Sequence, residues 1–465
     1  MNWLLFGILC YVALQVLVGL VASRFIKTET DYLLAGRRLG YVLATFSIFA
    51  TWFGAETCIG SAGEIYSTGL SAVSHDPVGY SVCLLLMGAL LAARLWKRQL
   101  VTLADLFRQR YSAGVERLVA LIIVPTSIVW AAAQIRAFGQ VLSASSELDL
   151  FLAMTFAAVA VTVYSVAGGL LADAFTDLLQ AVVVGAGLII IFFAVASNVG
   201  DPVTVILSLE PERLALLDPE KGWLGRLDSW AIPICGSLVA QELISRVLAS
   251  RSAKVAQRSC YLAVALYLPL GLIPVYLGLI GTEIMPGLED PEQLLPSLAQ
   301  RYLSTAMYII FAGALVSAIL STVDSALLAG AALISENLVA SVKPSLGPVA
   351  RLRVSRTCVL LLGITAYLIA LASDSIYNLV DLASALGSAG VFVVVLLAMF
   401  TRIGGPWSAI AGLLAGLVLF VVLRHVEVTG AYVCAVLGAT GAYLLVALFE
   451  HRPWRPRQAA APAAA

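Results

Sequence analysis

The stretch Ser317-Ala-Ile-Leu-Ser-Thr-Val-Asp-Ser325 decides how the chain is read, because it is a polar island inside an apolar segment running from about Met307 to Leu338. On a helix advancing about 100° per residue, Ala318, Ser321, Thr322, Asp324 and Ser325 fall within roughly 160° of arc. Hydroxyls and a carboxylate thus share one face, a donor set suited to a small hard cation that takes oxygen ligands. A carboxylate in such a segment is costly and calls for a partner, and the best candidate is Asp177, flanked by Thr176 in another apolar segment. The competing reading is that Ser and Ala let helices pack closely while the hydroxyls bond back to their own backbone.

Composition sets the surroundings of this island. Hydrophobic residues make up 61% of the 465 and charged residues 12%, with a mean hydropathy of +0.96, which indicates a polytopic membrane protein. Lys+Arg and Asp+Glu both total 28, so no basic excess points to nucleic acid. The seven cysteines lie apart with no CxxC pair and read as buried thiols rather than a disulfide or zinc framework. The only histidines are His75, His425 and His451, too few for a histidine-based metal centre.

The first apolar span, about 3–21, has no positive region before it and is followed by Arg24 and Lys27, so it is read as a retained helix with its amino end outside. Further spans are predicted at about 40–68, 77–96, 115–143, 149–167, 171–197, 224–248, 257–284, 305–340, 352–373, 377–400, 405–424 and 430–449, giving about thirteen helices. Basic residues fall in or beside alternate loops: Arg37 and Arg38; Lys97, Arg98 and Arg108; Arg246, Arg251, Lys254 and Arg258; Lys343, Arg351 and Arg353; Arg402; Arg452 and Arg455. Those loops are read as cytoplasmic, while the long acidic loops 199–221 and 285–303 face the other side. The carboxyl terminus is then cytoplasmic, and the tail from 450 to 465 is too short for an output domain.

Two spans carry internal breaks. Thr51-Trp-Phe-Gly-Ala-Glu-Thr57 interrupts the second, and Pro233 and Gly236 interrupt the seventh. Paired breaks five spans apart point to a transporter with inverted repeats and a site near the midplane.

The chain also resembles the sodium:solute symporter family. Tyr164-Ser-Val-Ala-Gly-Gly-Leu-Leu-Ala-Asp-Ala-Phe-Thr-Asp-Leu-Leu-Gln180 is similar to the family signature, and Leu320-Ser-Thr-Val-Asp-Ser325 to its sodium-binding helix. The resemblance spans about residues 25–420 and includes Asp31-Tyr-Leu-Leu-Ala-Gly-Arg-Arg38. Ala50-Thr-Trp-Phe-Gly54, Trp130-Ala-Ala-Ala133 and Arg246-Val-Leu248 most resemble the high-affinity choline transporter branch. The resemblance implies an all-α fold with a leucine-transporter-type core of two inverted five-helix repeats over 38–402. An extra helix at 1–24 would precede it, and two helices over 403–449 and the tail 450–465 would follow. It implies a common sodium site from the carbonyls of Ala50, Phe53 and Ala318 and the hydroxyls of Ser321 and Thr322. A second sodium site would use Asp177, Ser321, Asp324 and Ser325.

For a solute, the branch implies an aromatic cage, since a quaternary ammonium is drawn to ring faces by up to about 2 kcal/mol per ring when desolvated. Trp52 and Trp130 match two cage positions, Ala240 stands where the branch has a third tryptophan, and Glu56 replaces a small residue beside the break. Gln134 shares the face of Trp130, four residues on, whereas Arg136 sits about 120° round. Arg136 either binds a solute carboxylate, so that with Glu56 it reads an amino acid or other zwitterion, or neutralises Glu56 or Glu242 internally. Gln241 and Glu242 are either pocket groups or caps of the second break. The solute-binding set is thus Trp52, Glu56, Trp130, Gln134 and Gln241.

Together these readings describe a sodium-coupled symporter of the inner or plasma membrane that imports a small polar, amine-bearing solute by alternating access. Its partners are the solute, Na+ and the bilayer. The rivals are a solute sensor on the same fold acting through a separate partner, and a symporter coupled to protons through Asp177 or Asp324. An intramembrane hydrolase would need a Ser, His and acid cluster that the sequence does not present.

Overall fold

The computed structural model describes residues 28–145, 148–218 and 220–450, with scattered positions between 6 and 26. The predicted first helix at 3–21 and the tail with His451, Arg452 and Arg455 lie outside the described residues. Among those described the chain is helical, apart from one β-bridge pairing Leu39 with Ser250.

The helices that position the site are α1 (Glu29–Leu34), α2 (Tyr41–Ala50), α3 (Ala62–Thr68), α4 (Leu70–Lys97), α5 (Ala113–Ser145), α6 (Leu150–Val199), α7 (Trp223–Val239), α8 (Gln241–Ala249) and α9 (Ala253–Ile284). They continue with α10 (Thr305–Ala340), α11 (Pro348–Leu371), α12 (Ile376–Ala385), α13 (Ser388–Phe400), α14 (Pro406–His425) and α15 (Ala431–Phe449). Side-chain oxygens stop the chain before several of them. Asp149 accepts from the Leu152 amide, Ser252 from Val255 and Ser304 from Met307, each satisfying a first-turn donor that the helix cannot. Their outward faces are bare hydrocarbon, with Phe193, Leu361 and Phe449 exposed, as a lipid solvent requires.

Nine described helices are long and apolar enough to cross a membrane, and ten if the bent pair α7 and α8 is one span. The predicted thirteen is not reached by that measure. One predicted span lies outside the described residues. Segment 40–68 is broken into α2, a wide turn at Glu56–Ser61 and α3. Segments 149–167 and 171–197 meet at a sharp non-helical kink at Gly169, where φ is 62°, and the part before it, Leu150–Val163, is too short to count as a span by that measure.

The kink explains the motif after the predicted first helix. Thr28 and Asp31 close a reciprocal cap on α1, and the Tyr32 hydroxyl donates to the Ser165 carbonyl at 2.8 Å. A Cβ at Gly169 would stand 2.7 Å from the Tyr32 ring, so glycine is required by contact as well as by φ. The polar helix α10 lies against α5 and α6 in the centre of the bundle, and α2 packs against α6 and α9.

The second predicted break is present but sits a few residues later. The chain widens at Ile232–Gly236, tightens at Ser237–Val239 and becomes extended at Ala240, where α7 and α8 diverge by 45°. A third break, not read from the sequence, separates α12 from α13 at Leu386 and Gly387.

Candidate functional site

Where α2 ends, Thr51–Gly54 form an irregular turn facing the polar stretch of α10. The Thr322 hydroxyl lies 3.0 Å from the Ala318 carbonyl and 3.4 Å from the Ala50 carbonyl, across the break. A Cβ at Gly54 would lie 3.5 Å from both the Ala318 oxygen and Thr322 Oγ1, so the two segments are in contact here. Three of the five predicted common-site ligands thus converge. Ser321 turns away, donating to Asp173 Oδ1 at 3.1 Å and to Asp177.

One helical turn along α10 is a knot of charges that the sequence reading did not assemble. Arg246, counted there among cytoplasmic basic residues, has no exposed side-chain surface. The correction has a physical cause: α8 follows the second break inward, and the guanidinium fan is matched to carboxylates and carbonyls around it. Its Nη2 is 2.9 Å from Asp173 Oδ2 and 3.5 Å from Asp177 Oδ2, and it also donates to Ser325. Its Nε donates to the Ser47 carbonyl at 2.8 Å. Ser47 in turn donates to Asp177 at 2.6 Å, and Ser325 donates to Asp173 at 2.8 Å. The predicted second-site residues Asp177, Ser321 and Ser325 are therefore together, with a guanidinium beside them. Asp324 shares no hydrogen bond with that knot, and neither of its carboxylate oxygens has a hydrogen-bond partner among the described residues. Asp173 lies four residues before Asp177, on the same helical face of the quoted signature, and that spacing was the signal available for it.

A cavity opens beside the break, walled by Trp52, Trp130, Thr126, Ala240, Ser384 and Glu242 among others. Among the described residues Glu242 is the only charged one in the lining, and its Oε1 accepts from the Ser127 hydroxyl at 2.5 Å. Of the predicted solute-binding residues, Trp52 and Trp130 line this cavity. Gln241 instead accepts from the Leu103 amide at 2.8 Å and donates to Ser245 at 2.9 Å. Gln134 is buried but not in the wall, with both amide atoms unpartnered among the described residues. Arg136 meets neither Glu56 nor Glu242; it donates to the carbonyls of Ser373 and Asp374 at 2.6 and 2.8 Å, in the turn between α11 and α12.

Glu56 lies behind the cavity rather than in it, with Oε1 3.2 Å from His75 Nε2. Tyr80 joins this second polar group to the first wall: its ring stacks on Trp52 at 4.5 Å and its hydroxyl is 3.2 Å from His75. The lone histidine in this part of the chain was the available signal, and it went unused because its partner is nineteen residues back across the first break.

Lipid-facing helices, two of them broken beside a central cavity, with backbone oxygens and a hydroxyl converging at one break, are the build of a secondary transporter. The chain belongs to the sodium:solute symporter family, which it matches over residues 32–416, and it is a multi-pass membrane protein. It is 27% identical over 447 residues to the high affinity choline transporter 1 of Homo sapiens, covering 89% of this chain and 76% of that one. It is 25% identical over 464 residues to the sodium/proline symporter of Staphylococcus aureus, covering 93% and 89%. Its fold matches that of a Na+-coupled sialic acid symporter solved in a substrate-bound outward-open state, with a TM-score of 0.85 at 16% identity over 98% of both chains. A nucleobase-cation-symport-1 family transporter in a closed conformation matches with a TM-score of 0.60 at 13% identity, over 91% of this chain and 94% of that one. This is the leucine-transporter-type fold that the sequence led us to expect.

Proposed function

We propose that this protein is a sodium-driven symporter that imports a small amine-bearing solute, holding it in the cavity between Trp52 and Trp130. The single observation that carries the reading is Glu242, the only charged side chain on a largely apolar, aromatic wall. A carboxylate and two indoles suit an organic cation, or the cationic end of a zwitterion, and offer nothing to a bare anion. The open corner at Ala240 gives room for a group larger than the missing ring would allow. Within the family, membership and the choline and proline transporting relatives support the sodium coupling and the solute class.

Sodium is assigned to the break, held by the carbonyls of Ala50, Phe53 and Ala318 and by Thr322, with Ser321 joining when it rotates from Asp177. Sodium there ties the unwound turn of α2 to α10 and orders Trp52, one wall of the cavity, so ion and solute favour each other's binding. The Arg246 guanidinium sits against both Asp173 and Asp177 and offsets one of their two charges, and because it fills the place beside them we assign no sodium to the predicted second set. The core over 38–402 does the work by alternating access, in the plasma or inner membrane with the amino terminus outside. The chemistry is binding and release, without covalent catalysis.

The test is uptake into proteoliposomes under an inward sodium gradient, across choline, betaines, amino acids, polyamines, carboxylates and sugars. Sodium-dependent accumulation of a cationic or zwitterionic amine supports the reading. Accumulation of a carboxylate or sugar instead removes Glu242 from its assigned role, and accumulation driven equally by potassium removes sodium.

A further inference from the structure

Glu56, His75 and Asp76 form a buried group with no part in the ion and solute roles assigned above. They are 2%, 3% and 0% exposed. Glu56 Oε1 faces His75 Nε2 at 3.2 Å, and Asp76 Oδ1 accepts from the Tyr267 hydroxyl at 3.0 Å. That hydroxyl is itself 2.9 Å from Thr57 Oγ1. Asp76 Oδ2 has no hydrogen-bond partner among the described residues.

The groups around the three are mostly neutral. Tyr80 of α4 faces His75 and Glu56, Tyr377 of α12 lies against the imidazole at 5.3 Å between centroids, and Cys58 and Tyr267 lie on the Asp76 side. Asp381 and Glu64 add negative field from further off, and Asp381 is paired with Arg424 at 2.9 Å. No lysine or arginine forms an ion pair with Glu56 or Asp76 among the described residues. His75 contacts Glu56 and precedes Asp76 in the chain, so two buried carboxylates have one imidazole as the nearest side chain able to carry positive charge. Even with His75 charged, both carboxylates ionised leave a net negative charge away from water, and one further proton makes the group neutral.

The group is also wired to the cavity. Tyr80 stacks on Trp52 with an interplanar angle of 20°, and its hydroxyl is 3.2 Å from His75 Nε2 and 3.5 Å from Ser384 Oγ. Trp52 and Ser384 both line the cavity.

We propose that Glu56, His75 and Asp76 are a proton-binding site linked to the solute cavity through Tyr80, so that positive charge in the cavity and a proton on the triad oppose each other. The linkage is reciprocal: whatever factor a cation in the cavity takes from proton affinity, the proton takes from cation affinity. Resting on the amine-bearing reading above, the direction follows: solute entry releases a proton from the triad, and a proton rebinds when the cavity empties.

The test needs no knowledge of the solute. With only three histidines in the chain, full-length protein labelled at histidine and held in phosphatidylcholine nanodiscs gives a His75 resonance assignable by His75→Gln. Its titration midpoint should fall by on the order of one pH unit in Glu56→Gln, and in the same direction in Asp76→Asn. Fixed charges then probe the linkage. Thr126→Cys, on the far wall, is modified with a trimethylammonium or a sulfonate methanethiosulfonate, with the accessible native cysteines changed to serine. The cationic adduct should lower the His75 midpoint and the anionic adduct raise it, each by on the order of a few tenths of a unit. Should the carboxamide variants fold poorly, Tyr80→Phe keeps the ring stack, removes the hydroxyl, and should shrink the effect of both adducts. A midpoint indifferent to the sign of the adduct, or unchanged in the carboxamide variants, overturns the proposal. If the triad passes while amines release no protons, the proton site stands and the solute assignment falls.

Discussion

Arg246 and Asp173 meet inside the bundle, Nη2 to Oδ2 at 2.9 Å, with neither side chain exposed. Such a pair adds little net stability, because both ions leave water to form it, yet removing one partner strands the other. Arg246→Met should lower folding stability by about 3–5 kcal/mol in detergent denaturation. Adding Asp173→Asn should restore part of that loss, since the two positions share one network and their effects do not add. A double variant as unstable as the sum of its parts contradicts the pairing.

Thr322→Val removes one oxygen from the assigned sodium site and keeps the shape. Sodium should then stabilise the protein only at roughly tenfold higher concentration, the effect of losing about 1.4 kcal/mol of binding. With one sodium per cycle, the wild-type titration of stability against sodium is hyperbolic. A sigmoidal curve would assign a second ion to the acid knot beside Arg246.

Glu242→Gln keeps the acceptor that Ser127 reaches and removes the charge. Affinity for an amine solute should fall about tenfold or more while the melting temperature in sodium alone stays within a few degrees. Equal loss of sodium binding would show that Glu242 acts on the ion rather than the solute.

Glu292, in the turn at Pro291–Gln293 outside the spans, gives a pH dependence of known sign. Burial pushes its carboxyl up to about 7, assisted by Asp290 and opposed by the amide of Ile376, which donates to Oε1 at 2.7 Å. Because the folded protein holds the proton more tightly than the unfolded chain, this group's contribution is full below about 4.5 and is lost as pH rises through about 7. Melting temperature should therefore decline over that window, and Glu292→Gln, which keeps the acceptor for Ile376, should flatten the decline.

Much of the fold was legible because hydropathy and breaks are local signals. The apolar stretches mark the spans, and Gly54 and Pro233 mark two interruptions. The count of thirteen is not reached by length and apolarity alone, because Gly169 leaves Leu150–Val163 short, and the Tyr32 ring against Gly169 shows why that position is glycine. In the site, Trp52, Trp130 and Thr322 were readable from a resemblance and from helical spacing. Arg246 was not, because a basic residue near the end of an apolar stretch reads as a loop until the second break turns it inward. Gln241 failed for the opposite reason: an amide beside a break looks available until the Leu103 amide, far along the chain, is seen to occupy it.

The bridge at Leu39 ties two distant parts of the chain together. Leu39 donates its amide to the Ala249 carbonyl at 3.1 Å and accepts from the Arg251 amide at 2.9 Å, joining the entry to α2 with the exit of α8. The two interrupted helices are thus stitched at one end by main-chain bonds, which side-chain substitutions other than proline leave in place. Sliding one past the other at that end would cost both bonds. Residues some two hundred positions apart in the sequence are in this way held as one piece beside the two breaks.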